Sequence, residues 1–129
     1  MSRTYGRGLS SRKELVRMSL DTTTTLKIYI AGPMRGYEKN NHEAFDAAER
    51  FLSNKRIWNP VNPARKDRDA GVNPEDDMTK LELKEALLRD VNLVFECDCL
   101  YMLRGWERSE GARMEHALAL ALGMGIQYQ

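Results

Sequence analysis

Residues 99–123 read Cys-Leu-Tyr-Met-Leu-Arg-Gly-Trp-Glu-Arg-Ser-Glu-Gly-Ala-Arg-Met-Glu-His-Ala-Leu-Ala-Leu-Ala-Leu-Gly. The stretch begins with a short apolar run that is typical of a buried strand. It continues as a polar loop with two glycines and ends in an Ala/Leu run without β-branched residues, which favours a helix. Gly123 is suited to terminate that helix. In an open α/β sheet, a loop between a strand and a helix lies where ligands bind.

The loop and the start of the predicted helix carry three residues suited to a ligand site. Ser109 supplies a hydroxyl, Gly111 lets the backbone approach a ligand closely, and Glu115 places a carboxylate near the loop. Backbone N–H groups at a helix start favour anions. An ordinary N-cap serine and an exposed helix glutamate would account for the same residue types, so this stretch alone leaves both interpretations open.

A second candidate loop follows the strongest strand pattern, residues 26–31, in which Ile28 and Ile30 share one face and Tyr29 takes the other. The strand runs directly into Gly-Pro-Met-Arg-Gly, where the glycines permit a tight backbone path and the arginine can pair with a phosphate. A purely structural turn would explain the Gly-Pro pair equally well. The candidate binding residues here are Gly32, Met34, Arg35 and Gly36.

The whole chain alternates between strand and helix patterns. We predict strands over residues 26–31, 56–59, 99–103 and 126–129, and helices that start at Asn40 or Asn41, at Asp76 or Thr79, and near 110. Such alternation is typical of a mainly parallel sheet with helices on both faces. The predicted fold class is α/β: a small Rossmann-like or flavodoxin-like three-layer sandwich with about four or five strands.

Residues 60–78 show no regular pattern, and they include three prolines and several Asp and Arg residues. A loop of this length inside a compact domain is often a lid or a binding loop. A solvated excursion without a function would have the same composition. We therefore predict an irregular segment here and leave its role open.

Composition separates an N-terminal arm from the body of the chain. Residues 1–20 carry five basic side chains and one acidic side chain, although the whole chain of 129 residues has a net charge of only +1. We predict that residues 1–25 form a flexible basic arm and that residues 26–129 form one domain. The near-neutral total does not favour a nucleic-acid partner, and no apolar run approaches the length of a membrane span.

The two cysteines and two histidines limit the kinds of disulfide, redox and metal site that the chain can form. Cys97 and Cys99 are separated by one residue, which is too close for an ordinary disulfide or a Cys-x-x-Cys motif. We interpret them as buried thiols of a cytoplasmic, reducing compartment. Two histidines without further cysteines do not make a convincing metal site, and we predict no metal.

With these motifs in place, the chain resembles the nucleoside 2-deoxyribosyltransferase-like superfamily, which includes deoxyribosyltransferases and 2′-deoxynucleoside 5′-phosphate N-hydrolases. The resemblance covers about residues 26–127 and is nearest to a branch common in phages. It rests on Gly-Pro-Met-Arg-Gly early in the chain and Gly-Trp-x-x-Ser-x-Gly-Ala-x-x-Glu later. The run at residues 105–108 and the short C-terminal strand depart from the usual pattern of the hydrolases.

The resemblance implies a role for each matched residue. Glu115 would be the ionised nucleophile that takes the anomeric carbon of the sugar, and Asp90 would have a raised pKa and help to protonate the leaving base. Ser109 and Arg35 would bind the 5′-phosphate. Asp98, eight residues after Asp90, would be mainly structural.

The function implied is a nucleotide N-glycosidase that cleaves the bond between base and sugar of a (deoxy)nucleoside 5′-monophosphate, with no cofactor and no metal. The resemblance also implies a homodimer or larger assembly. A nucleoside deoxyribosyltransferase and a non-catalytic nucleotide-binding module remain as alternatives. Trp106 has two open interpretations, a pocket residue that stacks on a base or a packing residue.

Overall fold

A computed structural model describes residues 25–76 and 78–129; the predicted basic arm therefore lies outside the described residues. The described chain contains four strands and four α-helices. The strands are β1 (Leu26–Ala31), β2 (Trp58–Val61), β3 (Cys99–Met102) and β4 (Gly125–Tyr128). The helices are α1 (His42–Ser53), α2 (Pro63–Asp69), α3 (Lys80–Phe95) and α4 (Glu110–Leu122).

The strands form one parallel sheet in the order β2-β1-β3-β4. Ile28 pairs with Pro60 on one side of β1 and with Cys99 on the other. Pro60 lacks a backbone N–H, and it is tolerated because β2 is an edge strand. The predicted α/β class with a parallel sheet of four strands is confirmed.

Helices cover both faces of the sheet, because alternate residues of the central strands are apolar on both faces. On one face, Ile28 and Ile30 pack with Phe45 and Leu52 of α1. On the other face, Tyr29 packs with Val94 of α3 and with apolar residues of α4. The predicted division of β1 between the two faces is confirmed, and so is the three-layer arrangement.

The boundaries of most elements agree with the sequence patterns, and two helix ends show why. Thr79 starts α3 through a capping box, in which its hydroxyl accepts from Glu82 N and the Glu82 carboxylate accepts from Thr79 N. Gly123 ends α4 in the left-handed conformation, at φ 70°. Strand β2 lies two residues later than predicted.

The prediction of an irregular segment over residues 60–78 was wrong in part, because α2 occupies residues 63–69. Asn62 caps this helix by accepting from Ala64 N at 2.9 Å, and Pro63 occupies the first helical position, where its missing N–H costs nothing. The helix has seven residues and no long apolar stripe, so it leaves no periodic signal.

Cys97 and Cys99 are buried free thiols, as predicted. Burial raises the pKa of each thiol to about 12. In the part of the chain that the structure describes, no helix combines the length and the apolarity that crossing a bilayer requires.

Candidate active site

A cavity of about 520 Å³ opens at the carboxyl edge of the sheet. It lies where the loop after β1 meets the start of α4, and α2 and α3 complete its walls. Since β2 pairs with one side of β1 and β3 with the other, this is the point at which the strand order reverses. Ligands of open α/β sheets bind at such points. The two loops predicted from sequence are therefore brought to one site.

Glu115 is the most deeply buried acidic group of the cavity, with 5% of its surface exposed. The Tyr29 hydroxyl donates a hydrogen bond of 2.5 Å to Glu115 Oε2. No described residue hydrogen bonds to Oε1, yet no buried polar side-chain atom of the described residues lacks a partner. Oε1 thus has no hydrogen-bond partner among the described residues, and Glu115 lines the cavity.

Burial raises the pKa of Glu115 to about 8; the charge of Asp90 adds to the rise, and the hydrogen bond from Tyr29 opposes it. The expectation of an ionised Glu115 therefore disagrees with its surroundings in the fold, which favour the protonated form at neutral pH. The sequence pattern gives the position of the carboxyl group, but the loss of solvation depends on the strands and helices that pack around it.

Asp90, on the side of α3 that faces the cavity, is the second carboxyl group of the site. Its pKa is raised to about 7, mainly by burial and then by the charge of Asp67, while Arg89 opposes the shift. The predicted upward shift is confirmed. The charge of Asp90 also raises the pKa of Glu115. Ionisation of one carboxyl group therefore disfavours ionisation of the other, and the two titrate as a pair.

The basic rim consists of two exposed arginines, which line the cavity together with the exposed Glu110. Arg35 and Arg108 are exposed there, and neither forms an ion pair with a described carboxylate. Ser109 caps α4 by accepting from Ala112 N at 3.2 Å, which leaves its hydroxyl proton free to donate to a ligand. Gly111, next to it, also lines the cavity. The cap and ligand interpretations of Ser109 are thus compatible.

The loop after β1 is held in place from both ends. A Cβ atom on Gly32 would lie 2.7 Å from Leu103 Cβ, so only glycine fits where β1 ends against β3. At Gly36 a Cβ atom would meet nothing within 4 Å, and glycine is favoured there because the backbone has a φ of +85°. Asn41 Nδ2 donates to Pro33 O at 2.8 Å. Asn41 has a φ of 62° and makes no side-chain cap, so it precedes α1 as predicted but ties the loop instead.

Sequence reasoning missed a polar wall of the cavity that is formed by α1 and α2. His42 and Asp67 are both buried, each with 6% of its surface exposed, and both line the cavity. Arg68 donates to His42 Nδ1 at 2.9 Å, and Arg89 donates to Asp67 Oδ1 at 3.4 Å. The signal available in the sequence was the concentration of Asp and Arg in residues 60–78. Because the short helix α2 was not predicted, the side chains of this segment that face the cavity could not be identified.

Two residues that the sequence singled out, Trp106 as a possible pocket residue and Asp98 as a structural residue, lie outside the cavity. Trp106 is not among the residues that line the cavity; its ring stacks on His116 with centroids 4.2 Å apart. Asp98 lies at the start of β3, where its carboxylate accepts from Lys27 N at 2.9 Å and joins β1 to β3. Of the nine predicted catalytic and binding residues, the cavity brings together all except Trp106: Gly32, Met34, Arg35, Gly36, Asp90, Ser109, Gly111 and Glu115.

Metal ligation has no candidate cluster in residues 25–76 and 78–129: nowhere do three or more His, Cys, Asp or Glu side chains converge in a way that could hold an ion. The side chains that line the cavity provide carboxyl groups, a phenol, an imidazole and two guanidinium groups.

Comparison with known proteins places the chain in a family. A family model described as "Domain of unknown function (DUF4406)" matches residues 26–128. A search of curated proteins finds no match. The matched residues include both candidate loops and all of the cavity lining described above.

Proposed function

The chain belongs to this DUF4406 family, and we propose that its cavity cleaves the bond between base and sugar of a nucleoside 5′-monophosphate. The observation that carries the proposal is the pair of carboxyl groups, Glu115 and Asp90, which line one cavity. One group is fixed by Tyr29 at 2.5 Å, and burial raises the pKa of both to near neutrality. Two carboxyl groups that share a proton are suited to glycoside cleavage.

In the proposed reaction, a Glu115 carboxylate oxygen attacks the anomeric carbon and the bond from that carbon to the base nitrogen breaks. The electron pair of that bond leaves with the base, and Asp90 delivers a proton to it. Water then attacks the anomeric carbon of the glycosyl ester, giving the free sugar phosphate. Glu115 leaves as a carboxylate, and the proton of the water returns to Asp90.

The reactive state requires a carboxylate at Glu115 and a proton on Asp90. Burial raises the pKa of both groups, to about 8 for Glu115 and to about 7 for Asp90. Both groups therefore favour the protonated form, and the reactive state requires Glu115 to give up its proton while Asp90 keeps one. Positive charge that develops on the sugar beside Glu115 favours its ionised form.

The rim supports a phosphate rather than a free nucleoside. Arg35 and Arg108 place two guanidinium groups at the mouth, and the start of α4 adds the hydroxyl of Ser109 and unpaired backbone N–H groups. Carboxyl groups inside and arginines outside suit a ligand with a neutral sugar and an anionic phosphate. Binding energy from the phosphate would orient the sugar above Glu115.

The test is to incubate the full chain with the four 2′-deoxynucleoside 5′-monophosphates and to detect free base by chromatography. We expect base release by the wild type and at least a 10³-fold loss in Glu115→Gln. Turnover of that variant at the wild-type rate would refute the mechanism. Arg35→Ala is expected to weaken binding of monophosphates but not of nucleosides, and equal losses would refute the phosphate assignment.

The same experiment separates the related activities. A deoxyribosyltransferase would form a new nucleotide when a second free base is added, whereas a hydrolase would release sugar phosphate. Tight nucleotide binding without turnover would identify a binding module. On the resemblance we also propose a cytoplasmic homodimer or larger assembly, and light scattering of the full chain in solution measures its mass.

A further inference from the structure

The polar wall formed by His42 and Asp67 has no part in the reaction proposed above. Each side chain is more than nine-tenths buried, and each lines the cavity that contains Glu115 and Asp90. Buried polar groups are costly unless they are paired. Atoms of the wall without a partner among the described residues are therefore suited to bind a ligand.

His42 offers a donor. Arg68 Nη1 lies 2.9 Å from His42 Nδ1, and a guanidinium can only donate, so Nδ1 is the acceptor. Burial and the charge of Arg68 lower the pKa of His42, which keeps the ring neutral with its proton on Nε2. No described residue bonds to Nε2, and His42 lines the cavity, so the Nε2 proton is the donor that His42 can offer to a ligand there.

Arg68 is held in place by a second hydrogen bond, so its contact with His42 Nδ1 keeps the ring proton on Nε2. Its Nη2 donates to Asp46 Oδ1 at 3.0 Å while Nη1 contacts His42. Asp46 also accepts from Asn62 Nδ2, the residue that caps α2. The imidazole is thus oriented by a chain of hydrogen bonds that runs from α1 to α2.

Asp67 offers an acceptor. Arg89 binds Asp67 Oδ1 at 3.4 Å, and no described residue binds Oδ2. Asp67 lines the cavity, so Oδ2 is the acceptor that it can offer to a ligand there. The wall therefore presents one acceptor and one donor from neighbouring helices.

We infer that Asp67 and His42 read the hydrogen-bonding edge of the base. Asp67 Oδ2 accepts from an N–H of the base, and His42 Nε2–H donates to the oxygen or nitrogen acceptor beside it. This inference rests on the proposed function and deepens it, because it assigns specificity to residues that the resemblance does not include.

Charge argues for a base here rather than for the phosphate. Asp67 and Asp90 lie close enough for the charge of Asp67 to raise the pKa of Asp90, and a phosphate beside them would be repelled. The phosphate has Arg35 and Arg108 at the rim instead. A base is uncharged and flat, and hydrogen-bond donors and acceptors lie next to each other along its edge. These groups complement the acceptor of Asp67 and the donor of His42.

The experiment measures binding by calorimetry in a Glu115→Gln background, so that turnover does not interfere. The ligands are the tightest-binding deoxynucleoside 5′-monophosphate, its derivative with a methyl group on the edge N–H, and 2-deoxyribose 5-phosphate, which has no base. We expect methylation to weaken binding about tenfold or more, since a buried carboxylate is left unpaired.

Asp67→Ala should weaken nucleotide binding about tenfold, leave binding of deoxyribose 5-phosphate unchanged and remove most of the penalty for methylation. Asp67→Asn and His42→Phe provide second variants of similar size, and thermal melting verifies that each is folded. Asp69→Ala is the matched control, because Asp69 is exposed on the same helix. It should change none of these affinities.

The outcomes separate the two proposals. Equal losses for nucleotide and deoxyribose 5-phosphate in Asp67→Ala, or an undiminished penalty for methylation, would overturn the base-reading role and leave the glycosidase proposal standing. If the Glu115→Gln protein bound none of the three ligands, both proposals would be overturned.

Discussion

Replacing Glu115 by glutamine removes a carboxyl group whose burial makes the stability of the fold depend on pH. The pKa of Glu115 is about 8 in the folded protein against an ordinary value of 4.5. Above pH 4.5 the unfolded chain therefore loses a proton that the folded chain retains, and the stability of the wild type falls as pH rises. This fall continues until the group ionises in the folded state as well.

The size of the effect follows from the two pKa values. Each pH unit between them costs about 1.4 kcal/mol, so the wild type loses about 3 kcal/mol between about pH 5 and about pH 8 through this group alone. Glutamine has nearly the same shape and does not ionise, and it can still accept from the Tyr29 hydroxyl. Relative to the wild type, Glu115→Gln should therefore be similar in stability at pH 5 and about 3 kcal/mol more stable at pH 8.

The measurement is urea unfolding, followed by circular dichroism, at four pH values from 5 to 8. Glu107→Gln is the control, because Glu107 is exposed and forms no ion pair with a described residue. The control should track the wild type at every pH. If the difference between Glu115→Gln and the wild type were the same at pH 5 and pH 8, the pKa of the buried carboxyl group would not be raised and the basis of the proposed acid–base pair would be lost.

Two further predictions concern residues that position this site. Tyr29→Phe removes the hydrogen bond that opposes the rise of the Glu115 pKa, so carbon-detected NMR titration should show that pKa raised by about one further unit; an unchanged pKa would contradict the bond. Gly32→Ala should lower the free energy of unfolding by about 1–3 kcal/mol, because its methyl group would overlap Leu103. Gly111→Ala, where a Cβ atom would meet nothing closer than 3.7 Å, should cost less than 1 kcal/mol by thermal melting, and equal losses would contradict the packing argument.

The elements that sequence predicted correctly are those with strong local signals. Strand β1 has alternating faces, α3 begins at a capping box, and α4 ends at a left-handed glycine. Each signal depends on residues within a few positions of one another. The short helix α2 has only its N-terminal signals, Asn62 and Pro63, and these were not enough without an apolar stripe.

For the candidate site, sequence supplied the two loops and both carboxyl groups but not their surroundings. Tyr29 was assigned correctly to its face of β1, yet its contact with Glu115, 86 residues away, has no local signature. Trp106 shows the opposite case: an aromatic residue in the right loop turned toward His116, away from the cavity.

The sequence by itself determined the alternation of strands and helices, and with it the edge of the sheet at which the two glycine-containing loops meet. Only the tertiary structure decided the protonation of the site. The pKa of Glu115 depends on how much water the packed helices exclude and on how near Asp90 lies, and both are properties of distance in space. Residues far apart in the chain set these distances, so no local pattern of residues encodes them.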